Sequence, residues 1–156
     1  MKIYDIHSHF GPTSSGEIVS ANNMISELKS YGISKVGISC LSGNSTREQN
    51  DLIYNTMKEF PNIDFLFTHI GYYEFGMSTI MAVKDLKNVW VETSGQMDVD
   101  VLKNAVKILG ANRVVFGTDW PYKPVNIEID KFYHLGFNDT QLEQIFYKNA
   151  EYLWRM

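Results

Sequence analysis

The sequence is poor in cysteine, in clustered positive charge and in long apolar runs. Cys40 is the single cysteine among 156 residues. One cysteine excludes an intrachain disulfide and suits a reducing compartment. The 14 Lys and Arg residues are outnumbered by 18 Asp and Glu, for a net charge of −4, and the basic residues do not cluster. That excludes the electrostatic footprint of a nucleic-acid or anionic-membrane binder. No apolar run nears the ~20 residues that a membrane-spanning helix needs. The opening MKIYDIHSHF has no apolar core of signal-peptide length. Repeats, low-complexity segments and internal linkers are missing too. These absences predict a soluble, cytoplasmic protein with a single domain over residues 1–156.

What is present is ordinary in bulk and particular in arrangement. The chain is 44% hydrophobic and 21% charged, as globular domains are. A chain of this length buries roughly 68–70% of its unfolded surface, enough for a real core. Short apolar runs at 2–6, 33–39, 63–69, 88–94 and 113–118 read as strands. Amphipathic runs alternate with them. SANNMISELKSYG (20–32) has Met24, Ile25, Leu28 and Tyr31 at helical spacing, Ser20 as cap and Gly32 as stop. Ser45 and Glu48 suggest a capping box for a helix that ends before Pro61. Further helices are expected near 76–86, 98–110, 127–134 and 139–154. Five βα units of this kind imply an α/β fold with parallel strands and right-handed crossovers. Loops at 10–19 and 40–46 follow strands, where ligands bind in such folds.

Three of the four histidines and one aspartate carry the chemistry. His7 and His9 end the first strand two residues apart, so their rings point the same way. Neutral imidazole is the commonest protein metal ligand. His69 ends the third strand, and Asp119 follows the apolar end of the fifth. A carboxylate at a buried rim is costly unless it is paired. Two histidines and a carboxylate suit a divalent ion that also holds water. Plainer alternatives stay open. His7 and His9 could be an ordinary pair, His69 a strand-end cap, and Asp119 a turn residue before Pro121. Glu92, near the end of the fourth strand, is either a partner behind the site or an ordinary strand-end carboxylate. Trp120, Tyr72, Tyr73 and Tyr122 either line a pocket or pack loops onto the rim. His134, near a helix end, reads as a surface residue.

Together DIHSHFG, FPNIDFLFTHIG, LKNVWVETSG, LGANRVVFGTDWPY and LEQIFYKNAEYLW resemble, in order, motifs of the amidohydrolase superfamily, in its branch of metal hydrolases and decarboxylases. That resemblance implies a (β/α)₈ barrel of TIM type. Such barrels typically need ~250 residues, so this chain is expected to be a shortened, incomplete or rearranged version. Units matching the third, fourth and fifth strands are missing. Their loss leaves exposed edges, which invite pairing with another chain, and predicts a homodimer or higher oligomer that completes the sheet.

By the same resemblance, one divalent ion, zinc expected, is held by His7, His9 and Asp119. His69 is a further ligand or a neighbour that orients substrate. Asp119 would take the proton of a metal-activated water, and His69 would polarise a carbonyl or protonate a leaving group. The expected reaction is hydrolysis of a small amide, ester or lactone. Metal-assisted decarboxylation is the first alternative, and a non-catalytic scaffold or binding protein is the second. A TatD-type nuclease also begins with H-x-H, but a nuclease needs a basic face.

Overall fold

Stretches rich in β-branched and aromatic residues form parallel strands, and the helices between them supply the covering layer. The fold is that of a computed structural model, which describes residues 1–8, 11–12, 18–19, 21–38, 57–58, 61 and 64–155. Strand β1 is Ile3–Ser8, β2 Gly11–Pro12, β3 Ile18–Val19 and β4 Ile33–Ile38. They are followed by β5 Phe65–Phe67, β6 Val89–Glu92 and β7 Val114–Val115. Helix α1 is Ala21–Ser30, α2 Tyr72–Val83, α3 Val99–Leu109 and α4 Val125–Tyr133. The C-terminal rod is α5 Asp139–Glu143, a π-helical turn Gln144–Lys148, and α6 Asn149–Leu153.

β1 pairs in parallel with β4, and β6 lies between β5 and β7, also in parallel. The two groups join through the chain that leaves β7. The Ile6 N–H donates to the Phe116 carbonyl at 3.2 Å, the Asp119 N–H donates to the His7 carbonyl at 2.8 Å, and Ser8 bridges Trp120. The spatial order is therefore β4-β1-β7-β6-β5, and the carboxyl ends of β1, β5, β6 and β7 gather at one rim. The alternating βα pattern fits this partial α/β arrangement.

Local chemistry fixes the elements. Asp98 caps α3 by accepting from the Asp100 and Val101 N–H groups, and Gly110 at φ 85° stops it. Val101, Leu102, Ala105, Val106 and Leu109 form its buried stripe. Asn138 and Gln141 make a reciprocal capping box on α5. The π-turn has a structural use, because the Phe116 N–H donates to the Ile145 carbonyl at 3.1 Å. Asn149 reinforces that junction, with its amide donating to the Ala111 and Val114 carbonyls at 2.8 and 2.7 Å. The rod thus grips the chain on both sides of β7. Tyr4, Trp90 and Val115 from three strands form a small core against Ala150, with Trp154 at its margin. The main core joins the sheet to α1, α2, α3 and α4. Arg113 donates to the Val83, Lys84 and Val89 carbonyls, which fastens the end of α2 to β6.

Some expectations shift. Helix α2 starts at Tyr72, directly after the His69 turn, and not near 76. The single helix expected over 139–154 is interrupted by the π-turn. The loop at 10–19 contains a small antiparallel pairing of β2 with β3. The capping box at Ser45 and most of its helix lie outside the described residues. No helix among the described residues is long and apolar enough to cross a membrane.

Candidate metal centre

The register of β1 against β4 shifts between Asp5 and Ser8, at the position of the first histidine. Such irregularities re-aim side chains at strand ends. His7 is 5% exposed. Its Nδ1 lies 2.9 Å from Glu92 Oε2 and 3.2 Å from Ser94 Oγ. His69 follows β5 in a left-handed turn, at φ 59°, with Ile70 at φ 45°. This region is strained for most residues and more so for a β-branched one. Ile70 is fully buried, and that packing holds the turn. The two imidazole centroids are 4.7 Å apart.

Hydrogen bonding orients both rings. His69 Nδ1 lies 3.1 Å from the Ser94 carbonyl. A carbonyl only accepts, so this Nδ1 carries the hydrogen, and the lone pair of the neutral ring is on Nε2. His7 Nδ1 meets a carboxylate and has the same assignment. Ser94 Oγ is 3.0 Å from His69 Nδ1 and donates to Glu92 Oε2 at 2.8 Å. A histidine that gives one N–H to a carboxylate or carbonyl and keeps the other nitrogen for a metal is the usual arrangement in metal sites.

Glu92 is the hub, with no exposed surface. Besides His7 and the Ser94 hydroxyl, it accepts from the His69 N–H at 3.2 Å and from the Ser94 N–H. Burial alone would raise its pKa, but the hydrogen bond and charge of His7, the charge of His69 and the Ser94 N–H outweigh that and hold it at about 2. For His7, burial opposes the charged form, while Glu92, Asp119 and Asp5 outweigh it and raise the pKa.

Asp5 ties β1 to the strand end that carries Asp119. It accepts from the His7 N–H at 3.0 Å, Ser8 Oγ at 2.6 Å, the Thr118 N–H at 3.0 Å and Thr118 Oγ1 at 2.5 Å. Burial pushes it up to about 6 against the pull of these donors. Asp119 is 9% exposed and sits at φ 57°, a conformation that aspartate tolerates better than most residues.

The structure thus brings His7 and His69 together and places Asp119 within electrostatic reach of His7. His9 lies outside the described residues, as do the side chains of Tyr72 and Tyr73. Trp120 packs against the main core, and Tyr122 is 40% exposed. His134 is exposed, with Nδ1 against the Asp130 carbonyl. Glu92 stands behind the histidines. Asp5, Ser94 and Gly117 carry no mark in the sequence reading. Asp5 could have been noticed as an acid inside an otherwise apolar strand.

The donor set fits a divalent ion. Ligand-type atoms of His7, His69 and Glu92 lie within 4.8 Å of one another. Three buried carboxylates, Asp5, Glu92 and Asp119, face two imidazoles, and a cation would balance the excess. One consequence is measurable. With His7 raised above the ordinary imidazole value, an ion must displace its proton. Manganese affinity should rise with pH for as long as His7 is protonated and level off once it is neutral, with a proton released on binding in the rising range. Unbuffered titration calorimetry checks this, and a flat profile would refute a protonated His7.

The amidohydrolase family model matches residues 38–156. A gamma-resorcylate decarboxylase from Polaromonas sp. JS666 is 29% identical over 70 residues, which are 45% of this chain and 22% of the relative. The chain thus spans about a fifth of the curated relative's length. A dihydroxybenzoic acid decarboxylase structure from Polaromonas sp. JS666, with bound manganese and 2-nitroresorcinol, has a TM-score of 0.59 at 19% identity. That match covers 70% of this chain and 40% of that one. A TIM-barrel protein from Bordetella bronchiseptica has a TM-score of 0.63 at 16% identity, over 96% of this chain and 57% of that one. The family match, which takes in more than half of the chain, makes this chain a member of the amidohydrolase family.

Proposed function

We propose that the chain is a metal-dependent enzyme that decarboxylates a small hydroxylated aromatic acid. The supporting observation is the buried His7–His69 pair, backed by Glu92 and Ser94, in a chain whose curated relative is a gamma-resorcylate decarboxylase. His7, His69 and Asp119 would hold the ion, and His9 is proposed as a further ligand on its sequence position alone. Either zinc or manganese suits these donors. When bound, the ion supplies a positive centre that draws electron density from a substrate oxygen.

The chain's own residues do the rest. Glu92 and Ser94 keep both Nδ1 atoms protonated, so both Nε2 lone pairs are available. Asp119 serves as the proton carrier. Loss of the carboxyl group breaks one carbon–carbon bond. The electron pair stays on the ring carbon, that carbon takes the proton from Asp119, carbon dioxide leaves, and solvent reprotonates Asp119. The hydrolytic use expected from the sequence needs the same residues, with Asp119 accepting a proton from water. The curated relative favours decarboxylation. We also propose that a second copy completes the sheet, whose end strands β4 and β5 have no further partner strand among the described residues.

The test is carbon dioxide release from 2,6-dihydroxybenzoate by manganese- or zinc-loaded protein, beside His7→Ala and Asp119→Asn. Release that falls at least 100-fold in both variants is expected. Activity on ester or lactone probes alone would move the assignment to a hydrolase. A sizing column run on the same sample reads the oligomer.

A further inference from the structure

Helix α4 lies outside the metal centre, yet it carries a buried ion pair aimed at one turn. Glu128 has no exposed surface, and the Lys131 side chain is 9% exposed. Lys131 Nζ donates to Glu128, to the Thr93 carbonyl at 2.8 Å and to the Gln96 carbonyl at 3.3 Å. The Gly95 N–H donates to both Glu128 oxygens at 3.3 Å. The Gln96 N–H closes the turn onto the Thr93 carbonyl at 3.2 Å. Within the turn, Ser94 is held on its other side by Glu92 and Gln96 Oε1 accepts from the Asp98 N–H, while Thr93 Oγ1 and Gln96 Nε2 have no hydrogen-bond partner among the described residues.

Ser94 is the second residue of that turn. Its hydroxyl touches both histidine Nδ1 atoms, and its carbonyl takes the His69 Nδ1 hydrogen. We infer that Glu128 and Lys131 are positioning residues, which hold the Thr93–Gln96 turn so that Ser94, together with Glu92, sets the tautomer and orientation of His7 and His69. A buried ion pair is a poor source of stability, and apolar residues of similar size do as well. What apolar residues cannot do is bind two carbonyls and one N–H of a single turn. The inference rests on His7 and His69 being the metal-binding pair, so its readout must not depend on metal alone.

The experiment compares the full chain with Lys131→Met and with Glu128→Gln/Lys131→Met, which leaves no unpaired buried charge. Far-UV circular dichroism reads the fold. Long-range ¹H–¹⁵N spectra of metal-free protein, recorded at alkaline pH where both imidazoles are neutral, read the tautomers of His7 and His69, and chelator competition reads manganese affinity. The expected result is a native far-UV spectrum, the Nδ1–H tautomer in wild type, mixed tautomers in the variants, and manganese affinity weakened 10- to 100-fold. Altered tautomers with no manganese binding even in wild type would support the positioning role and refute the metal assignment. Folded variants with unchanged tautomers would overturn the inference. So would a wild type without the Nδ1–H form, or loss of fold in both variants.

Discussion

Glu92→Gln is expected to weaken manganese binding 10- to 100-fold, as loss of a ligand-orienting carboxylate does. It is also expected to destabilise the metal-free chain by about 3 kcal/mol. One Glu92 oxygen accepts from His7, Ser94 Oγ and the His69 N–H, and the other accepts from the Ser94 N–H. Glutamine has one carbonyl oxygen. Placed on the three-donor side, it leaves its NH₂ facing the Ser94 N–H, donor against donor. The charge that favours a protonated His7 is lost as well. Chelator competition and urea unfolding measure the two effects. A variant that keeps wild-type metal affinity would remove Glu92 from the site.

The pH dependence of stability follows from the same group. Glu92 is depressed below its unfolded value of 4.5, so its contribution is complete above 4.5 and is lost as pH falls toward 2. His7 is raised above 6.5, so its contribution is complete below 6.5 and is lost as pH rises through the raised value. Asp5, raised to about 6, destabilises in the same sense as pH rises. The metal-free chain should be most stable in the mildly acidic range. Glu92→Gln should flatten the acidic limb.

Gly117→Ala is expected to cost about 2–3 kcal/mol, in the range of overpacked cores, and to lower metal affinity with it. A Cβ at this position would lie 2.5 Å from Glu92 Oε1 and 2.9 Å from His7 Cβ. Neither neighbour can yield. The Glu92 carboxylate is held by its donors, and His7 Cβ is fixed to the backbone of a central strand. The reason for glycine here is space, because the strand after β7 passes directly beneath the carboxylate that orients both histidines. Gly117→Ala/Glu92→Asp shortens the acid and should recover part of the stability, though not the part due to His7. Urea unfolding of the cycle reads the coupling. Full additivity would show that the clash is not with Glu92.

Much of this was legible from the chain alone. Apolar runs and glycine stops such as Gly32 and Gly110 announce the βα alternation, because backbone period and helix termination are local properties. The ends of the apolar runs single out His7, His69 and Asp119, since polar groups there mark a strand rim. Local signals fail where contacts are remote. Helix α2 begins early because the left-handed turn at His69 and Ile70 feeds straight into it. The C-terminal rod carries a π-turn because one of its carbonyls serves a distant strand end.

The sequence by itself determined the α/β class, the order of the elements and the residue types able to bind a metal. Only the tertiary structure decided which groups meet. Glu92 reaches His7 across 85 positions, and Asp5 reaches Thr118 across 113. The turn that carries Ser94 is held by a lysine 38 residues beyond Thr93. Periodicity states which face a residue takes, but not which strand lies beside it or at what register. Strand order and the register shift after Asp5 settle that, and with it the tautomers of His7 and His69.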